Sequence, residues 1–405
     1  MTSDTDSGQN QKTSLIGIVF LMLVVVGAGS FIFGIAGTHP ERAWLSYLIN
    51  FLLWSAIAQG AVLFSTVTHL TGARWTHRMS GIAESFAAFF PISFVLFLIL
   101  FLGQSYVFPW LHHDLHGKEA WLNIPFLFTR DFVGLLILYG LGFWYLYYSL
   151  QLRINGNAHS GWLRSRLLQR WGEPRQDPDT IRSRMKFIGG FYIFAFAMVL
   201  TLISFDLAMS MDAHWISTLF GAYSFVKAFY IGLGGLIILS SLLYLQEGRK
   251  TGLTTDNFHD VGKLFFAFCF LWGDFFYVQL VVIWYGNIPE ESAYVIERVF
   301  LPPYNVLAWS VLVVCFILPF LTLINKKIKT LPVPMIILCS VVILGIWFEH
   351  LLILGPPLSH GADTLPVGFL DLPITLGFLG LMAWAVRTFL ANFPEVVREP
   401  AMEVR

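Results

Sequence analysis

Residues 218–245 read TLFGAYSFVKAFYIGLGGLIILSSLLYL, an unbroken apolar run that carries a single charge, Lys227. A helix needs about 20 mostly apolar residues to cross the roughly 30 Å hydrocarbon core of a bilayer, and there only helices and closed barrels satisfy their own backbone. The run does not alternate apolar with polar as a barrel strand does, so it predicts a membrane-spanning helix. Further runs of the same kind lie at 15–36, 43–69, 81–102, 125–150, 187–203, 261–285, 306–324, 331–354 and 366–390. The expectation is an all-α membrane protein of about ten transmembrane helices. Composition agrees, since 12% of the 405 residues are charged, against roughly a quarter in soluble domains.

The first run is too long for the core of a signal peptide and is read as an anchor that stays. Residues 1–13 and 393–405 are then tails around a membrane domain at 14–392. Apart from the intramembrane Lys227, all Lys and Arg but Arg42, Lys118, Arg130 and Arg298 fall on the tails or on the side of the membrane that bears them. That bias makes both termini cytoplasmic. The long cytoplasmic loop 151–186 contains SGWLRSRLLQRWGE, in which Trp162, Leu163, Leu167, Leu168 and Trp171 interleave with arginines at helical spacing. It reads as a helix lying in the headgroup layer, with a partner-docking helix as the alternative.

Net charge is zero, which excludes a field that would draw nucleic acid. Cys269, Cys315 and Cys339 sit in apolar runs without C-x-x-C spacing, and are read as small buried hydrophobes rather than metal ligands or disulfide partners. A haem of b type needs two histidines at one depth, whereas His69 and His350 belong to opposite faces. The HHDLH cluster at 112–116 reads as a solvated outer loop. No metal or covalent cofactor is expected.

Ionisable side chains inside hydrocarbon are costly and normally face a bundle interior. Asp274, in LWGDFFYVQL, lies near mid-membrane, and Lys227 is about 13 Å deep from the outer face. The two are expected to form a buried pair, either functional or fixing helix register. His69 and Glu84 near the cytoplasmic face, with Asp131, Glu349, His350 and Asp371 near the outer face, extend this into a candidate proton path. The competing reading is a set of snorkelling helix-end residues.

Longer patterns carry a resemblance. SFDLAMSMDAHWISTLFGAYSF at 204–225, HDVGKLFFAFCFLW at 259–272, VVIWYGNIPEESAY at 281–294 and RWTHRMSGIAESFAAFFPISFVLFLILFLG at 74–103 closely resemble a membrane subunit of alternative complex III. More distantly the chain is similar to the NrfD/PsrC family of quinone-interacting membrane proteins. The resemblance implies two four-helix bundles, spans two to five and six to nine, with one further helix at each end. It also implies a place in a bacterial inner-membrane complex that oxidises quinol and reduces a periplasmic acceptor. The implied partners are membrane lipid, a paralogous membrane subunit, an iron–sulfur subunit and c-type cytochrome subunits, and the implied ligand is a quinone or quinol. Of the two related membrane subunits, the pattern on Ser204, Asp206, Met209, Ser210, Asp212, Trp215, Ser217 and Thr218 resembles the second rather than the one beneath the iron–sulfur subunit. Gly273-Asp274 departs from it, where a small residue and then an aromatic would stand.

Quinol oxidation releases two protons, so a site needs acceptors near both hydroxyls and an apolar slot. Asp206, Asp212 and His214 offer acceptors, with Trp215, Phe220 and Tyr223 to pack a ring; the bland alternative is helix capping by the two aspartates. Glu290 and Glu291, after the seventh span, are either a docking surface or a solvated turn. Two other functions compete with the subunit reading: a secondary transporter coupled through Asp274 and Lys227, and a pure scaffold.

Overall fold

The computed structural model describes residues 3–112, 115, 117–154, 162–171, 177–212, 215–358 and 364–397. The protein is an all-α multi-span membrane protein, with no strand among the described residues. Among the described residues ten helices are long and apolar enough to cross a membrane: Leu15–Ile35, Pro40–Leu70, His77–Val107, Ile124–Arg153, Pro178–Met211, Leu219–Glu247, Thr255–Gly286, Tyr304–Leu323, Pro332–Leu358 and Asp371–Asn392.

Most helices outrun their apolar cores because polar residues start them. Asn123 accepts from the Phe126 amide (3.0 Å) ahead of the fourth span, and Asp177 from the Thr180 amide (3.2 Å) ahead of the fifth. Pro125 and Pro178 occupy first-turn positions that need no amide donor. Thr254 and Asn257 form a reciprocal capping box that begins the seventh span nearly two turns earlier than hydropathy alone places it, at Thr255 rather than near 261.

Prolines inside the spans free carbonyls, and side chains take them up. Pro319 cannot bond the Cys315 carbonyl one turn back. The helix answers with a wide turn at Val313–Ile317, and the Tyr230 hydroxyl donates to that carbonyl (3.2 Å). Pro357 likewise frees the Ile353 carbonyl, which accepts from Arg298 (3.2 Å).

Spans two to five pack as one ring of neighbours and spans six to nine as a second. The rings meet along the second and sixth spans, which cross at Gly60 and Gly232; a Cβ on either would collide with the other helix's backbone. Close approach of small residues is how helices associate where lipid is as apolar as leucine. The first and tenth spans pair with each other, Gly27 against Gly377, and rest on the second and third. The two flanking helices therefore share one side of the molecule.

The helix Trp162–Trp171 forms as its periodicity predicts, and part of it rests on protein. Arg164 is buried and holds Glu395 through two nitrogens (2.9 and 2.6 Å), and Trp171 is buried against the bundle end. A guanidinium paired with a carboxylate can sit against protein instead of lipid headgroups. The pairing ties the segment to the short helical turn Pro394–Val396 that follows the tenth span.

Candidate functional site

The second bundle contains a charge cluster built on two helices at matching depth. Lys227 lies eight residues into the sixth span and Glu349 nine residues before the end of the ninth, so both sit about 12–13 Å from the same end. Lys227 Nζ is 3.0 Å from Glu349 Oε1, the Tyr223 hydroxyl donates to the same oxygen, and the ammonium lies 4.9 Å from the Tyr223 ring centre. Glu349 is fully buried and its Oε2 has no hydrogen-bond partner among the described residues. His350, also buried, places Nδ1 2.8 Å from the Ile346 carbonyl.

This overturns the expected pairing of Lys227 with Asp274. In the seventh span Trp272 and Gly273 face the interior, Gly273 pressed against Phe316. One further residue turns the helix by about 100°, and Asp274 lies exposed on its outer side. Depth alone made Asp274 and Lys227 partners; direction separates them.

Beside the cluster is a cavity of about 310 Å³ between spans six, seven, eight and nine, lined almost wholly by apolar and aromatic groups, Tyr223 among them. Trp215 and Tyr294 stack face to face, centroids 3.9 Å apart at 8°. Arg298 covers the other side of Tyr294 at 3.5 Å and is fixed by the carbonyls of Tyr294 (3.1 Å) and Ile353 (3.2 Å). Gln279 is oriented by Ser217, whose hydroxyl donates to its Oε1 (2.9 Å). Three donors of this lining, Trp215 Nε1, Gln279 Nε2 and Arg298 Nε, are buried without a partner among the described residues. An unmet buried donor costs about 1–3 kcal/mol, so three around one cavity suit a ligand with acceptor oxygens. Burial pushes the Tyr294 phenol up to about 12, which keeps it neutral.

The expected outer-face motif does not gather as one group. Trp215 and Tyr223 reach the cavity; Asp212 turns to Arg298 (3.7 Å) at its rim. Asp206 joins the first bundle instead, gripped by the guanidinium of Arg130 and fully buried beside Asp131. His214 lies outside the described residues, as do His113 and His116 of the HHDLH cluster.

The first bundle holds a ladder of polar groups. At the end that bears the termini, a cavity of about 920 Å³ is lined by His69, His77, Ser80, Glu84, Arg153, Arg182 and Lys186. At its base, buried Glu84 accepts from Ser65 (2.7 Å) and Ser149 (2.6 Å), and Ser65 meets the Tyr145 hydroxyl (3.1 Å). Further in, Gln59 donates to Tyr139 (2.8 Å), which meets Ser93 (2.7 Å) and through it Ser55 (2.6 Å). Asp131, Asp206 and Arg130 complete the opposite end. Six residues on the second span separate Ser65 from Gln59, about 9 Å, and eight on the fourth separate Tyr139 from Asp131, about 12 Å. Asp371 stands apart: it accepts from the Gly368 amide (2.6 Å) at the start of the tenth span and borders a separate cavity with Arg42.

Sequence reasoning named the carboxylates but missed Arg130 and Arg298, although both were among the few cations on the outer side. The neutral links, Gln59, Ser65, Tyr139, Tyr145 and Ser149, gave no signal, because serine and tyrosine in membrane helices commonly bond only their own backbone. No protein-family model matches this sequence, and no curated protein matches it.

Proposed function

We propose that this chain is a quinone-binding, proton-handling membrane subunit of a quinol-oxidising respiratory complex of the alternative complex III type, in a bacterial inner membrane. Its partners in that reading are a paralogous membrane subunit, an iron–sulfur subunit and c-type cytochromes. The observation that carries the ligand is the 310 Å³ apolar cavity with unmet donors from Trp215, Gln279 and Arg298, backed by a fully buried carboxylate at Glu349.

The quinol or quinone supplies the two-electron chemistry; the side chains bind its ring and manage its protons. Gln279 and Arg298 donate to ring oxygens, while Trp215 and Tyr294 give the flat apolar wall. Tyr223 lines the cavity and also touches Glu349, so a proton leaving a ring hydroxyl passes through the phenol to that carboxylate. Glu349 Oε1, which the phenol already touches, is the receiving atom, and Lys227 holds the carboxylate ready by opposing its charge. In the first bundle, the ladder from Glu84 to Asp131 offers stepping places for protons across the membrane, with water needed at its two gaps. The transporter reading loses its motivating residues, because Lys227 is committed to Glu349 and Asp274 faces outward.

The test is titration of the purified protein in detergent with a short-tailed quinone while following tryptophan fluorescence. Saturable quenching is expected, and Gln279→Leu is expected to weaken it about tenfold, the worth of one hydrogen bond in a dry site. Quenching that never saturates, or that Gln279→Leu leaves unchanged, removes the ligand from this cavity and returns the chain to a scaffold.

A further inference from the structure

Asp274 is exposed on the seventh span, near the middle of a helix that carries no other charge for about three turns on either side. The exposed positions around it are Ala267, Phe270, Leu271, Asp274 and Tyr277, of which Ala267, Phe270, Asp274 and Tyr277 are spaced three, four and three residues apart. That is the a/d spacing of a seam on which a second helix packs with left-handed crossing. A small residue, two aromatics and a carboxylate are not what a lipid-facing stripe needs. A charge pointing into acyl chains at this depth is strongly unfavourable unless a partner answers it.

Among the described residues no cation answers it. Lys227 is spent on Glu349, and Lys263, about three turns nearer the helix start, is paired with Asp260 at 2.6 Å. A second copy of the chain packed through the same seam about a two-fold axis along the membrane normal would set Asp274 against Asp274, which is repulsive. The complement must therefore come from a different chain.

We propose that the Ala267–Phe270–Asp274–Tyr277 seam is the docking surface for a transmembrane helix of another protein, and that this helix carries a lysine or arginine facing Asp274 in mid-membrane. The small side chain of Ala267 lets the two backbones approach, and Phe270 and Tyr277 bracket the ion pair and shield it from lipid. Tyr277 also lines the 310 Å³ cavity, so the docked helix lies along one wall of it. The inference rests only on the chain spanning a membrane and holds whether or not the cavity takes a quinone.

The experiment uses the full chain in its native membranes, with a photo-crosslinking amino acid at Phe270 or Tyr277, and at Phe194 on the exposed face of the fifth span as a control. The expected result is a heteromeric adduct from the first two positions and none from Phe194. Its crosslinked peptide should be a transmembrane segment holding a Lys or Arg. Asp274→Asn should cut the partner retained after detergent extraction at least fivefold, and Asp274→Lys combined with the partner's basic residue changed to Asp should restore it. Adducts only to lipid, a homodimer adduct, a crosslinked peptide without a basic residue, or full partner retention by Asp274→Asn would each overturn the proposal.

Discussion

The two four-helix bundles share an architecture and differ in what they bury. The first threads neutral hydroxyls and an amide between acids at its two ends, Glu84 and the Asp131–Asp206 pair, and opens into a large polar cavity at the end bearing the termini. The second concentrates its charge in one place, Lys227 with Glu349, and sets beside it a dry aromatic cavity. A ladder of small dipoles suits the movement of protons, which pass between neighbouring groups. A dry slot with few, fixed donors suits the holding of a flat ligand. In the function we propose, the same helix packing hosts a conduit and a binding site, with the difference made by a handful of side chains.

The largest effect that separates the bundles should come from Lys227→Met. It strands a buried carboxylate, a loss of about 3–5 kcal/mol for a broken buried pair, read as a fall in thermal stability in detergent. Adding Glu349→Gln should recover most of that stability while leaving quinol oxidation lost. If stability returned and oxidation returned with it, Glu349 would be structural only. Arg130→Met tests the other bundle: it strands Asp206 and should destabilise by a comparable amount, yet leave quinone affinity in the second bundle within about twofold, because distant sites act independently. Next in size is Glu84→Gln in reconstituted vesicles. It keeps the acceptor oxygen for Ser65 but removes the proton-holding carboxylate, and should slow proton movement through the first bundle with quinone affinity unchanged. The smallest effect is Tyr139→Phe, which removes the hydroxyl joining Gln59 to Ser93 and should cost about 1 kcal/mol. Were that change to weaken quinone binding instead, the division of labour between the bundles would be wrong.

Much of the fold was legible because a bilayer imposes length. Ten apolar runs gave ten helices, and the prolines and polar caps that lengthen or bend them lie in plain sight in the sequence. The pairing of spans was not written in any periodicity. Lipid and protein interior are both apolar, so a buried face and a lipid face look alike along the chain, and the amphipathic signal that orients a helix in a soluble protein is lost. Asp274 shows the consequence. Its depth was readable and its direction was not, and the partner assigned on depth was the wrong one. Glu349 shows a related limit: the apolar run at 331–354 places it five residues from the outer end, and only the extension of the ninth span to Leu358 brings it to the depth of Lys227. The unmet donors of Trp215, Gln279 and Arg298 belong to three separate segments, brought together only by tertiary packing.

The most direct measurement is photolabelling of the purified complex with an azido-quinone, followed by mapping of the modified peptides. Labelling is expected within 215–223, 276–283 and 294–299, competed by unlabelled quinone and diminished by Gln279→Leu. Label confined to the first bundle, or spread over the lipid-facing spans without competition, would contradict a quinone site in the second bundle.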